Sequence, residues 1–138
     1  MIFKNEQGFT FIELFVVVFI VAILSAIAVP LYQESVIESY VPEGKAVLSS
    51  ISAAAQRYRV YNGNSFNGLT LATLTAAPYN VMTNATDKWT FAITGADTGT
   101  FTAVATGNGA KVSKLSGKTI TLVFNVDATP QETFTENW

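Results

Sequence analysis

Apolar and polar positions divide the chain into three stretches. From Leu14 to Leu31, roughly 18 residues, no charged residue occurs and almost every side chain is apolar. Extended by Phe9 to Ile12, a run of that length spans a bilayer core of about 30 Å as a helix. The β-branched Val16, Val17, Val18, Ile20 and Val21 weaken helix propensity in water. Lipid enforces the helix, because each backbone polar group there must find its partner within the segment. Pro30 lies inside the run, lacks an N–H and crowds the carbonyl of Ala26, so a kink or local unwinding is predicted there. Pro42-Glu43-Gly44 is a second interruption, which bends the helix or restarts it with Pro42 near its first turn.

The second stretch is amphipathic. Ala46-Val47-Leu48, Ile51, Ala54-Ala55 and Tyr58 recur at helical spacing, with Ser49, Ser50, Ser52, Gln56, Arg57 and Arg59 mostly off that face. This helix runs to about Tyr61 and stops at Asn62-Gly63. After it comes a connecting loop, Asn62 to Asn84, with a short helix or turn around Leu69 to Leu74. The third stretch alternates with period two. Trp89, Phe91 and Ile93, then Phe101, Ala103 and Ala105, then Ile120, Leu122, Phe124 and Val126 mark the inner faces of half-buried strands. Gly95 to Gly99 and Gly107-Asn108-Gly109 are turn material, and such short connections favour antiparallel pairing. Asp127 to Trp138 holds a short last strand or a loop tucking Trp138 onto the head. The fold class is therefore α+β: a long N-terminal helical stem packed on a C-terminal antiparallel sheet.

Glu13 is the anomaly. It stands at the mouth of the apolar run, in Gly8-Phe9-Thr10-Phe11-Ile12-Glu13-Leu14. An acid entering a membrane-length segment is costly and marks a functional site by default. Three readings of the N-terminus remain. In the first it is a plain membrane anchor, oriented by Lys4 with the N-terminus inside. In the second it is a secretory signal cut after Ala28 in Ala26-Ile27-Ala28, which frees a soluble exported domain. In the third the cut falls between Gly8 and Phe9 and the apolar segment is kept. A free amine on Phe9 would then lie one helical turn from Glu13, and in a bundle of such helices Glu13 pairs with the Phe9 amine of its neighbour. A buried pair roughly balances its desolvation, whereas breaking one costs about 3–5 kcal/mol, so the pair sets register more than stability.

At these residues the chain resembles the type IV pilins and their pseudopilin relatives. The resemblance covers roughly residues 4 to 40: a short basic leader, Gly8, Phe9-Thr10-Phe11-Ile12-Glu13-Leu14, and a long apolar helix carrying Pro30. It implies cleavage after Gly8 by a prepilin peptidase, N-methylation of Phe9, and docking of each new subunit through Glu13. It implies a precursor held in the inner membrane, an inner-membrane assembly platform as partner, and a homo-oligomeric helical filament on the cell surface. It also implies that the segment from Ala22 to Pro30 loses helix in the filament. Ala22 stands where many relatives have glycine, and Phe11, Phe15 and Phe19 replace common aliphatics. The corresponding division of the chain is a leader at 1–8, a filament-core helix at 9–33, the amphipathic half of the stem at 34–62 and the head at 63–138. The roles open to such a subunit are adhesion, motility or DNA uptake. A pseudopilin of a type II secretion system and a minor pilin are the alternatives, and the lack of the cysteine pair found in many pilins leans towards them.

Composition narrows the chemistry further. The chain has 138 residues and a net charge of −2, so bulk charge gives no support for a nucleic-acid partner. Cysteine and histidine are both absent, which removes disulfides, thiolate metal sites and Ser-His-Asp or Cys-His catalysis. The mean hydropathy of +0.33 is raised by the N-terminal run. No enzyme activity, cofactor or metal is expected. Asp87, Asp97, Asp127, Glu132 and Glu136 read as solvated turn acids rather than a calcium loop, since the D-x-D-x-D-G spacing is missing. Lys111, Lys114 and Lys118 form a loose basic cluster without interleaved aromatics, which reads as a solvated loop. The tyrosines Tyr32, Tyr40, Tyr58 and Tyr61 read as packing rather than an electron path. Asn84-Ala85-Thr86 matches a glycosylation sequon and stays unassigned.

Overall fold

The computed structural model describes residues 8–84 and 86–137. The expected leader ahead of Gly8, the placement of Trp138 and the central Ala85 of the sequon lie outside those residues. The chain forms two compact units that part between Val36 and Ile37. The architecture is α+β, with helices first and an antiparallel sheet after them.

The first unit holds most of α1 (Phe11–Glu38), a helix that buries none of its residues. The helix passes unbroken through Ala22 and Pro30, so the local unwinding expected at Pro30 is not present in this chain. A proline deletes one hydrogen bond of the ladder, and the turns on either side retain theirs. The break comes later, at Ser39–Tyr40. α2 (Val41–Tyr61) restarts there, with Pro42 in its first turn, where the missing N–H would have had no partner in any case.

The second unit carries the core. After α2 come the short α3 (Leu71–Thr75) and four strands, β1 (Trp89–Ala96), β2 (Thr100–Gly107), β3 (Thr119–Asn125) and β4 (Glu132–Asn137). The strands form an antiparallel meander in sequence order. Its inner rows are those the alternation predicts: Ala103 faces Leu122, Ala105 faces Ile120 and Phe101 faces Phe124. Against them lie Val47, Leu48, Ile51, Ala54 and Ala55 of α2. Phe66, Phe101 and Phe124 meet with ring centroids 5.0–5.5 Å apart. α2 stops where its sequence says: Asn62 caps it, and Gly63 takes φ +64, a conformation that favours glycine.

Two positions on α2 depart from the amphipathic pattern. Ala46 is exposed, whereas Ser52 is fully buried. The reason lies on β4. Ser52 donates to Glu132 Oε1, and Gln56 Nε2 reaches the same oxygen at 3.2 Å. Lys45 pairs with Glu136 and lies 5.9 Å from the Phe134 ring. Glu132 and Glu136 are thus not solvated turn acids; they fasten the edge strand to α2, and inward charges on an edge strand also discourage stray pairing.

The sheet also grips the start of α2. Trp89 Nε1 donates to the Tyr40 carbonyl at 3.0 Å, and Lys88 Nζ meets Glu43 at 2.9 Å while lying 5.0 Å over the Tyr40 ring. The bond from Lys88, then one from Thr86, holds the Glu43 carboxyl below the usual carboxylate range. The same contact pushes the Lys88 ammonium up. The pair therefore favours the fold at neutral pH, and that contribution fades as pH falls through the lowered Glu43 value or rises through the raised Lys88 value. Gly44 sits beneath this contact. A β-carbon there would lie 2.9 Å from Ile120 Cδ1 and 3.1 Å from the Trp89 ring. Gly44→Val is expected to destabilise the head by about 1–3 kcal/mol through overpacking, read as a lowered melting temperature of the full chain in detergent. A wild-type melting temperature would contradict this close approach.

Candidate functional site

The site begins with local helix chemistry. A helix leaves its first N–H groups without intrahelical partners, and a Thr-x-x-Glu sequence satisfies two of them reciprocally. Thr10 and Glu13 do so at the start of α1. The Glu13 amide donates to Thr10 Oγ1 at 3.3 Å, and the Thr10 amide donates back to Glu13 Oε2 at 3.0 Å. The Thr10 hydroxyl donates to the same oxygen, also at 3.0 Å. Glu13 is therefore a helix cap within its own chain, a role that its charge and place in the apolar run do not by themselves reveal. Thr10 is its partner, and the signal that marks it is the Thr-x-x-Glu capping signature just ahead of an apolar run. The capping atoms all lie downstream of the Gly8–Phe9 bond, so the cap survives a cut there. Only Oε2 takes part, and a carboxylate has room for further donors on its other oxygen.

Around this cap the surface is apolar. The large apolar side chains from Phe11 to Leu31 remain 46–83 % exposed, and Phe9 is 90 % exposed. Gly8 is exposed, with nothing within 4 Å of where a β-carbon would stand. Among the described residues the helical run from Phe11 contains one window long and apolar enough to cross a membrane. Exposure of this extent on all sides of a helix is not stable in water; lipid or other apolar helices must cover it. The structure brings Thr10 and Glu13 together. Ala22 and Pro30 lie farther along α1, and Pro42 lies in α2.

The head offers little else of chemical character. Among the described residues no group of three or more acids could hold a metal ion. Asp97 caps the β1–β2 turn, accepting the amides of Thr100 at 2.9 Å and Gly99 at 3.0 Å, and those bonds hold its carboxyl low. The loop after β2 is ordered by Asn108, whose side chain bonds the Asp87 carbonyl and the Ala110 amide. That loop carries Lys111, Lys114 and Lys118, and Lys111 Nζ lies 3.8 Å from Asp87.

Comparison with known proteins points in one direction. The family described as "Type IV minor pilin ComP, DNA uptake sequence receptor" matches residues 30–121. The prokaryotic N-terminal methylation motif matches residues 3–29. Two proteins named "Fimbrial protein" from Pseudomonas aeruginosa are 42% identical over 53 residues, covering 38% of this chain and 34% of each relative. The matched part thus spans about a third of the length of those curated relatives. No solved structure matches.

Proposed function

Because this chain belongs to the type IV pilin family, we propose that it is a structural subunit of a pilus filament, polymerising through α1 after removal of residues 1–8. The observation that carries this reading is the pairing of a capped carboxylate with a helix left exposed on every side. A prepilin peptidase cuts after Gly8, and the new Phe9 amine is N-methylated. The precursor waits in the inner membrane, where lipid covers α1. An assembly platform then moves α1 into a bundle of its own kind. Lipid is already apolar, so little hydrophobic energy is gained in that transfer, and close packing with polar contacts must select the register. Glu13 keeps its cap and receives the Phe9 amine of the neighbouring copy on its remaining oxygen. Head-to-tail contacts of this kind are heterologous and propagate as an open helical polymer. Within the bundle, the stretch from Ala22 to Pro30 is where the helix would give way first, since Pro30 already removes one bond of its ladder.

A second reading, a minor pilin concerned with DNA uptake, is favoured by the family match over residues 30–121. The loop bearing Lys111, Lys114 and Lys118 would be its contact, although the chain as a whole is acidic. Abundance in sheared surface filaments distinguishes a major subunit from a minor one. The test of the reading itself is intact mass. Purified filaments should yield a chain beginning at Phe9 and carrying one methyl group. A chain beginning at Met1 or Val29 would refute it.

A further inference from the structure

A cleft of about 480 Å³ lies beside α2, away from the site described above. One wall is the α2 face bearing Ala46, Ser50, Ala53 and Arg57; the other is the segment from Tyr79 to Met82. That second wall is preformed. The Tyr79 and Asn80 amides both bond the Ala76 carbonyl, and the Val81 amide bonds the Leu74 carbonyl at 2.9 Å. Val81 is buried beneath it, and Asn80 holds the left-handed φ of +51 that asparagine tolerates. A second cleft of about 500 Å³ shares Asn80, Val81 and Met82 and continues to Thr75, Thr83 and Asn84. The two meet at Met82, which is 74 % exposed.

The charge in this groove is one-sided. Arg57 lies 6.0 Å over the Tyr79 ring, and that ring is backed by Tyr58. Among the described residues no acid lines either cleft. Among the described residues Arg57 has no carboxylate within ion-pair reach, whereas Lys45, Lys88 and Lys111 each have one. A guanidinium held over a ring still has its five N–H donors, and their fork matches a carboxylate. The remaining polar lining is hydroxyl and amide, groups that both donate and accept and so suit a ligand bearing many hydroxyls. A single cation does not suit a polyanion, whose binding rests on neutralising several charges at once.

We propose that this groove binds a carboxylate-bearing saccharide, with Arg57 taking the carboxylate and Asn80 with its hydroxyl-bearing neighbours taking the ring hydroxyls. The site lies wholly within the second unit, from Ile37 onward, and holds whether or not α1 polymerises. The test uses the full, unassembled chain in detergent micelles, titrated calorimetrically with cellobiouronic acid, which carries one carboxylate, and with cellobiose, its neutral counterpart. Cellobiouronic acid should bind saturably and at least tenfold more tightly than the neutral sugar. Arg57→Gln should weaken it tenfold or more, and Arg57→Lys by less. Asn80→Gly, which keeps the backbone turn, should weaken it severalfold. Melting temperatures of the variants establish that each is folded; if Arg57→Gln is not, Arg57→Lys and Asn80→Gly decide. The proposal is overturned by absence of saturable binding, by equal affinity for the neutral sugar, or by indifference to Arg57. Tighter binding of tetraglutamate or of a single-stranded oligonucleotide would also overturn it. None of those results bears on the filament, which mass and assembly assays address separately.

Discussion

Glu13→Leu should leave the chain in the membrane at wild-type level while reducing its recovery in sheared filaments more than a hundredfold. Two losses combine. The first is local: removing a cap costs about 0.5–2 kcal/mol, here the bonds between Glu13 and Thr10. The second falls on the neighbour, whose buried amine would lose its counter-charge at about 3–5 kcal/mol. Since 1.4 kcal/mol is a factor of ten, the second loss outweighs the first. Two milder variants separate them. Thr10→Val removes the hydroxyl that accepts the Glu13 amide and keeps the charge, so incorporation should fall about tenfold or less. Glu13→Gln keeps an oxygen for the cap and removes the charge, so it should behave nearly as badly as leucine. If Glu13→Gln assembles normally while Thr10→Val does not, the carboxylate serves only its own helix, and the inter-subunit pair is wrong.

Trp89→Ala should unfold or nearly unfold the head. Trp89 is 2 % exposed and packs against Gly44, and its indole N–H holds the Tyr40 carbonyl at the restart of α2. Truncating a buried aromatic of this size costs about 3–5 kcal/mol, a large part of the roughly 5–15 kcal/mol that stabilises a typical domain. No disulfide is available to compensate. Trp89→Phe keeps most of the bulk and loses the hydrogen bond, for which about 1–2 kcal/mol is expected. Denaturant titration of the full chain in detergent, followed by circular dichroism, measures both. A loss below about 1 kcal/mol for Trp89→Ala would mean that the contact with Gly44 and Tyr40 is not what holds β1 to α2.

Periodicity made most of this fold legible. The 3.6-residue repeat through Leu48, Ile51 and Ala55 and the alternation through β1, β2 and β3 depend on nearest neighbours alone, and both elements formed where the pattern put them. The end of α2 was equally readable, because Asn62-Gly63 is a backbone signal. What the pattern could not supply was pairing between distant polar groups. Ser52 reads as solvent-facing on a helical wheel; it is buried because Glu132, 80 residues away, accepts its hydroxyl. β4 reads poorly as a strand for the same reason, since Glu132 and Glu136 occupy its inner positions, and Ser52, Gln56 and Lys45 help make that tolerable. Phe66, Leu74, Val81 and Leu115 complete the core from outside the periodic stretches, where no repeat marks them. At the N-terminus the order is reversed. Glu13 stands out as a costly acid, yet its nearest partner is Thr10, three residues back, and a pattern of charges alone does not show that local bond.

The decisive measurement is a side-chain-resolution reconstruction of native filaments. It should show α1 of many copies gathered at the axis, with Glu13 still bonded to Thr10 and within about 4 Å of the Phe9 amine of an adjacent copy. A filament in which Glu13 faces water, or in which no neighbouring amine approaches it, would contradict the proposed role of this residue.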